Sequence, residues 1–369
     1  MIHYRSPTNG LRLDFDSAHS LADGRGGRWP VVDGIPYLRV GSEALAAATL
    51  ERLDNGDMVG ALAALLAEND SWWTEPPPPS EDIAALIAQR DTLNLRGAML
   101  LLGWGRVGDY FAHRWSDPTY VAGLTLLNVH WSMPEKAFEL ACGIGHYLRA
   151  LSIAGVATAG ADVVFAKLWV ARHWVAPKAQ LVCFDADQPW PIEISADLAF
   201  CHDAFYFLTT KAAVAQQLRE TAPVVSLAHI HNSARPNFSA AQGMTLGEVQ
   251  AMFPDAILYD DEELTRAGAA GDLPAAGTSE NAEAFGVVIG AQPTGIRGPL
   301  GLPPRGRVLR RNPLCVGGQL VWPSERYAEE YGGRLTFACQ ADLPETIVMA
   351  PEWEAAALRR ELIDLPERW

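Results

Sequence analysis

The chain has 369 residues, with 29 basic and 44 acidic side chains and a net charge of -15. Apolar residues make up 49% and charged residues 20%, enough for a packed core in two or three domains. The acidic balance weighs against a nucleic-acid partner, which needs clustered Lys and Arg, and no apolar run reaches the roughly 18 residues of a membrane span. The opening "MIHYRSPTNG" lacks the apolar segment of a secretory leader, so a cytoplasmic location is expected. Cys142, Cys183, Cys201, Cys315 and Cys339 form no Cys-x-x-Cys pair. That spacing predicts a reducing compartment, no disulfide and no local metal site.

In chain order, residues 1–42 read as a small β-rich module. "RWPVVDGIPYLRV" (28–40) places strand residues around an Asp33-Gly34 turn, a hairpin signal. Residues 43–132 read as helical. "EALAAATLERL" and "MVGALAALLAEND" repeat apolar residues at helical spacing. "WWTEPPPPSED" (72–82) is an extended break, with Ser80, Glu81 and Asp82 capping the next helix. Further helices are expected over 96–113 and 118–130.

From 133 to 291 the rhythm changes to alternating strands and helices. Strands are expected at 136–142, 157–163, 180–186, 196–202, 223–231 and 284–291, and helices at 146–154, 164–175 and 211–221. Short apolar strands separated by helices predict a mostly parallel sheet with helices on both faces. Residues 292–313 read as a Gly/Pro/Arg linker. Residues 314–369 read as an α+β appendage ending in an amphipathic helix, "EWEAAALRRELIDL". The expected fold class is therefore α/β: a Rossmann-like seven-stranded, mostly parallel sheet with a small N-terminal β/helical region and a C-terminal appendage.

The stretch "FELACGIGHYL" (138–148) carries the chemistry. It is an apolar strand with an acid, Glu139, followed by Gly143 and Gly145 and then a helix. Such a turn lets a ligand approach the backbone beyond the carboxyl end of a strand. A dinucleotide site wants G-x-G-x-x-G, but the third position is Leu148. S-adenosylmethionine has a ribose diol and a cationic amino group, which favour carboxylates. Asp162 ends the second strand, where a carboxylate accepts both ribose hydroxyls. Asp185 ends the third, in reach of the adenine amine, with the Ala186 N–H beside the ring.

On these residues the chain resembles the class I, Rossmann-like S-adenosylmethionine-dependent methyltransferases. "FELACGIGH", "GADVVFAKLWVA", "FDADQPWPI" and "ADLAFCHDAFYFL" are similar to four successive family motifs, within a span of roughly 110–291. Glu139 stands where Asp is commoner, and Ala141 replaces the usual first glycine. The resemblance implies a helical lead-in over the cofactor, with Tyr110 and Arg114 in reach of the methionine carboxylate. "WPVVDGIPYL" resembles the end of a small zinc-ribbon-type module, here without cysteines.

The rim of the fourth and fifth strands is where this superfamily seats its methyl acceptor. His202, Asp203 and Tyr206 lie at one strand mouth and His229 and His231 at the next; His229 or His231 is expected as the base. Tyr206 is expected to line an aromatic acceptor pocket. The resemblance implies O- or N-methylation of a small molecule or biosynthetic intermediate; the sequence does not name the oligomeric state, and a homodimer is one assembly open to the chain. The alternative is a non-catalytic S-adenosylmethionine-binding scaffold or partner subunit. Arg297, Arg305, Arg307, Arg310 and Arg311 are expected to lie on an acidic surface rather than to clamp an anion.

Overall fold

The computed structural model describes residues 2–69, 76–236, 242–295 and 297–369. Residues 72–75 of the expected extended break lie outside them. The central sheet contains β1 (Lys136–Leu140), β2 (Ala157–Asp162), β3 (Gln180–Cys183), β4 (Leu198–His202), β5 (Val224–His231), β6 (Ile257–Asp260) and β7 (Ala284–Ile289). Their spatial order is β6-β7-β5-β4-β1-β2-β3. β7 runs antiparallel to β5 and β6, and the remaining pairs are parallel. Every residue of β4, β5 and β7 is buried. That burial on both faces is why these strands are continuous apolar runs rather than alternating ones. The strand order reverses between β1 and β4, and a crevice beyond the carboxyl ends at such a point is where open sheets hold ligands.

Four helices matter to the site: α1 (Gly105–His113), α2 (Pro118–Val129), α3 (His146–Ile153) and α4 (Glu325–Tyr331). All of α2 is buried, and it packs on β5 and β7. The expected helix over 96–113 is broken in two: the first half ends at Leu101 and α1 begins at Gly105, with Gly103 in the left-handed region between them. The helix expected from a Ser80 cap starts at Ser80 itself, with Pro79 in the cap position and no side-chain cap.

The N-terminal hairpin forms as expected. Val32 pairs with Ile35, and Asp33 and Gly34 both have positive φ, which a two-residue hairpin turn requires. It belongs to a six-stranded antiparallel sheet whose last strand, Ile192–Glu193, comes from the β3–β4 connection. Leu38 N–H donates to the Cys183 carbonyl at 2.8 Å, and the Asp33 carboxylate accepts from Trp169 Nε1 at 2.7 Å. The hairpin is thereby fastened to β3 and the helix behind it.

Three C-terminal expectations are corrected. The supposed linker contains a strand, Val308–Arg311, that pairs with Thr346–Val348 and Leu362–Ile363. The final amphipathic helix shrinks to Glu354–Leu358. It stops because Arg360 takes positive φ, donates through Nε to the Trp115 carbonyl, and frees Leu362–Ile363 to pair as a strand. The expected absence of disulfides also fails: Cys315 and Cys339 are joined, while Cys142, Cys183 and Cys201 are buried thiols. Cysteines 24 positions apart with no local motif carry no pairing signal in sequence. No helix among the described residues is long and apolar enough to cross a membrane.

Candidate functional site

A cavity of about 640 Å³ opens beyond the carboxyl ends of β1 to β4. Its floor is the turn after β1. Ala141, Gly143 and Gly145 all take positive φ, so the chain doubles back before α3 begins. A Cβ on Gly143 would lie 3.1 Å from the Phe111 ring, so a side chain there would be strained and crowded. Asp162 braces the turn: one carboxylate oxygen accepts from Gly143 N–H and the other from Val164 N–H, both at 2.9 Å.

Ala141 lacks the freedom of glycine but sits at φ 54°. Left-handed backbone costs a residue with a Cβ about 1 kcal/mol. Ala141→Gly is therefore expected to raise the unfolding free energy by about 1 kcal/mol, read from urea denaturation. An unchanged or lower midpoint would mean that the turn carries no such strain.

Glu139 lies in β1, is 2% exposed and lines the cavity. Its Oε2 has no hydrogen-bond partner among the described residues. Burial pushes its carboxyl well up, only partly offset by Arg114. A buried carboxylate oxygen without a partner is costly, and a cation in the cavity would satisfy it. Asp185 and Ala186 also line the cavity, with one Asp185 oxygen accepting from Asp187 N–H at 2.9 Å. The sheet thus brings Glu139, Ala141, Gly143, Asp162, Asp185 and Ala186 to one wall.

The opposite wall centres on Asp203, at positive φ just past β4. Its carboxylate accepts from the Tyr110 and Tyr206 hydroxyls at 2.9 Å each and pairs with Arg114 at 2.9 Å. Burial opposes the charge, but Arg114, His229 and the two tyrosines outweigh it and hold the carboxyl below its usual range. Tyr110 and Arg114, expected to face a carboxylate on a ligand, are thus both committed to Asp203. Arg114 is 4% exposed and also lies 3.6 Å from the buried Asp117.

The histidines separate into two groups. His202 lines the cavity, with Nε2 3.0 Å from Ser226 Oγ. Burial, then Arg114, push His202 and the neighbouring His146 down to about 3. His229 and His231 come together, with ring centroids 6.3 Å apart against Tyr206, but neither lines the cavity. His229 sits on a β5 irregularity at positive φ, between Asp261 at 3.0 Å and Asp203 at 3.9 Å. Burial disfavours its charge, but the two carboxylates prevail and raise its pKa. His231 approaches the Arg235 carbonyl at 3.3 Å and burial lowers its pKa.

The remaining wall was not foreseen. α4 contributes Tyr327, Glu330 and Tyr331, and the Tyr327 hydroxyl donates to Asp117. Two tyrosines at i, i+4 were the available signal, and such a pair reads more readily as core. Arg39, from the N-terminal module, also reaches the cavity while paired with Glu68 at 3.1 Å. The arginines at 305 to 311 do not line it; Arg307 pairs with Asp364 and Arg311 with Glu345.

No family model matches the chain, and no curated protein matches it. Among solved structures it is similar to a TehB-like SAM-dependent methyltransferase from Corynebacterium glutamicum, with 16% identity, 46% of this chain and 88% of that one covered, and a TM-score of 0.36. It is also similar to an S-adenosylmethionine-dependent methyltransferase from Mesorhizobium loti, at 16% identity, 47% and 98% coverage and a TM-score of 0.34. A third is SAM-bound CalS10, an amino pentose methyltransferase from Micromonospora echinaspora, at 14% identity, 48% and 94% coverage and a TM-score of 0.35. These are distant overlaps, each confined to less than half of this chain.

Proposed function

We propose that the chain is an S-adenosylmethionine-dependent methyltransferase acting on a small molecule. The observation that carries this reading is the buried Glu139, one oxygen of which lacks a hydrogen-bond partner, among the residues that line a cavity whose floor is a glycine turn. The residues present fit that cofactor. Glu139 meets a positive charge, Gly143 permits close approach, Asp162 holds the turn and presents its carboxylate, and Asp185 with Ala186 receives the adenosine end. When bound, S-adenosylmethionine supplies an electrophilic methyl group on a cationic sulfur.

The chain's own contribution at the acceptor wall is positioning. His146 and His202 are both pushed down to about 3, too weak to serve as bases near neutral pH. Asp203 is saturated by Arg114 and two phenols. Alignment of the acceptor in an aromatic-walled space supplies the rate enhancement. His229 and His231 stand behind Asp203, where His229 fixes that carboxylate rather than touching the acceptor.

Calorimetric titration with S-adenosylmethionine, S-adenosylhomocysteine and NAD tests the reading. Both sulfur ligands are expected to bind at micromolar concentrations and NAD is not. Asp185→Ala is expected to weaken them about 10-fold, the loss of one charge-assisted hydrogen bond. A folded wild-type protein that binds neither sulfur ligand would end this reading.

A further inference from the structure

We propose that the methyl acceptor carries a protonated amine, seated among the rings of Tyr110, Tyr206, Tyr327 and Tyr331 with the Glu330 carboxylate as its counter-ion. This rests on the methyltransferase reading for calling the ligand an acceptor; the charge preference of the pocket stands on its own residues.

All five side chains line the same cavity. The hydroxyls of Tyr110 and Tyr206 donate to Asp203, and that of Tyr327 donates to Asp117. A phenol that has committed its single O–H to a carboxylate retains only its oxygen lone pairs and its ring faces. Both favour positive charge. One of these rings already demonstrates the preference: the Arg114 guanidinium lies over Tyr110, 5.1 Å from the ring centroid.

Glu330 supplies the formal charge. Its side chain is 31% exposed, and its ion-pair contact with Arg326 is long, at 3.8 Å. Burial raises its pKa; a hydrogen bond with Tyr331, then Arg326 and His229, oppose the rise, and Asp203 adds to it. A carboxylate held in that state gains from an added cation.

An anionic acceptor would find little to bind. Arg114, the interior guanidinium, is paired with Asp203 at 2.9 Å. Arg326 is 41% exposed and Arg106 is exposed, so solvent screens both. Arg39 is held by Glu68, and Lys167 lies 3.7 Å from the Asp162 carboxylate on the opposite wall. The pocket therefore separates an amine from a carboxylate of the same shape.

The test uses the full chain and three aromatic probes of similar size: 2-phenylethylamine, 2-phenylethanol and phenylacetate. Their affinities are measured by ligand-observed NMR with and without saturating S-adenosylhomocysteine. The amine is expected to bind at least about 10-fold tighter than either other probe, the worth of one charge-assisted contact. Glu330→Gln is expected to erase that preference while leaving S-adenosylhomocysteine affinity unchanged. Equal binding of the three probes, tighter binding of the carboxylate, or an unaltered preference in Glu330→Gln would overturn the proposal. The wild-type ranking decides the matter even if the variant misfolds. Failure of S-adenosylhomocysteine to bind would instead remove the methyltransferase reading, and the probe series without it would still report on the pocket.

Discussion

Replacing Arg114 by leucine is expected to cost the fold about 3–5 kcal/mol. The guanidinium is buried between Asp203 and Asp117 and also donates to Thr119 Oγ1 at 2.9 Å. Leucine fills part of the space but leaves Asp203 as an uncompensated buried charge. Urea unfolding would show the midpoint fall at constant slope. The double variant Arg114→Leu/Asp203→Asn is expected to lose less than the sum of the single changes, because Asp203 is then no longer a stranded charge. A single-variant loss under about 1 kcal/mol would show that water reaches the pair and screens it.

The same pair sets an acid limit. The Asp203 carboxyl is held below its usual range, so its ionised form contributes stability above the unfolded value of about 3.9. That contribution is lost as pH falls through the lower folded value. In Arg114→Leu the acid-side dependence should flatten, since the partner that lowers the carboxyl is gone.

The second large effect runs in two directions. Glu139→Gln is expected to weaken S-adenosylmethionine about 10- to 100-fold, the loss of a hydrogen-bonded charge worth about 1.5–3 kcal/mol. It is also expected to stabilise the ligand-free protein near neutral pH. The reason is the sign of the shift: burial raises the Glu139 carboxyl well above its usual range. The folded state then holds a proton more tightly than the unfolded state, whose value is about 4.3. Stability from this group is present at low pH and falls as pH rises through the interval between the two values. An amide carries no such dependence. Paired calorimetry and thermal melts would check both directions. A variant that loses affinity without gaining stability would place the Glu139 oxygen against an internal partner.

The sheet was largely legible in the sequence, for a physical reason. Strands buried on both faces are continuous apolar runs, and helices between them restore the longer period. Expected strands at 157–163 and 223–231 appear as Ala157–Asp162 and Val224–His231. A carboxylate in or just past such a run stands out, so Glu139, Asp162 and Asp185 are legible together, and all three line the cavity. β6 escaped because "ILYD" is short and partly exposed. The α4 wall escaped because its tyrosines reach the cavity only through tertiary packing, with Tyr327 meeting Asp117 across a separation of 210 residues. The placement of the histidines also depended on packing: alternation groups His229 with His231, but only the fold shows that Asp203 lines the cavity while His229, 3.9 Å from it, does not.

The seam between the N-terminal hairpin and β3 has a consequence for how far the chain can be shortened. β3 is the outermost strand of the central sheet, and the backbone of Tyr37 and Leu38 meets it at Cys183. Strand Ile192–Glu193, grown from the sheet's own connection, is paired in turn by His3 and Tyr4. Removing the first forty residues would strip both strands at once and leave an open rim on which the Cys183 and Pro191 carbonyls have lost their Leu38 and Arg5 donors. Such a rim is a template for another copy's strand. The amino-terminal module therefore guards the central sheet against aggregation, and a fragment trimmed to the alternating region alone would be driven to self-associate.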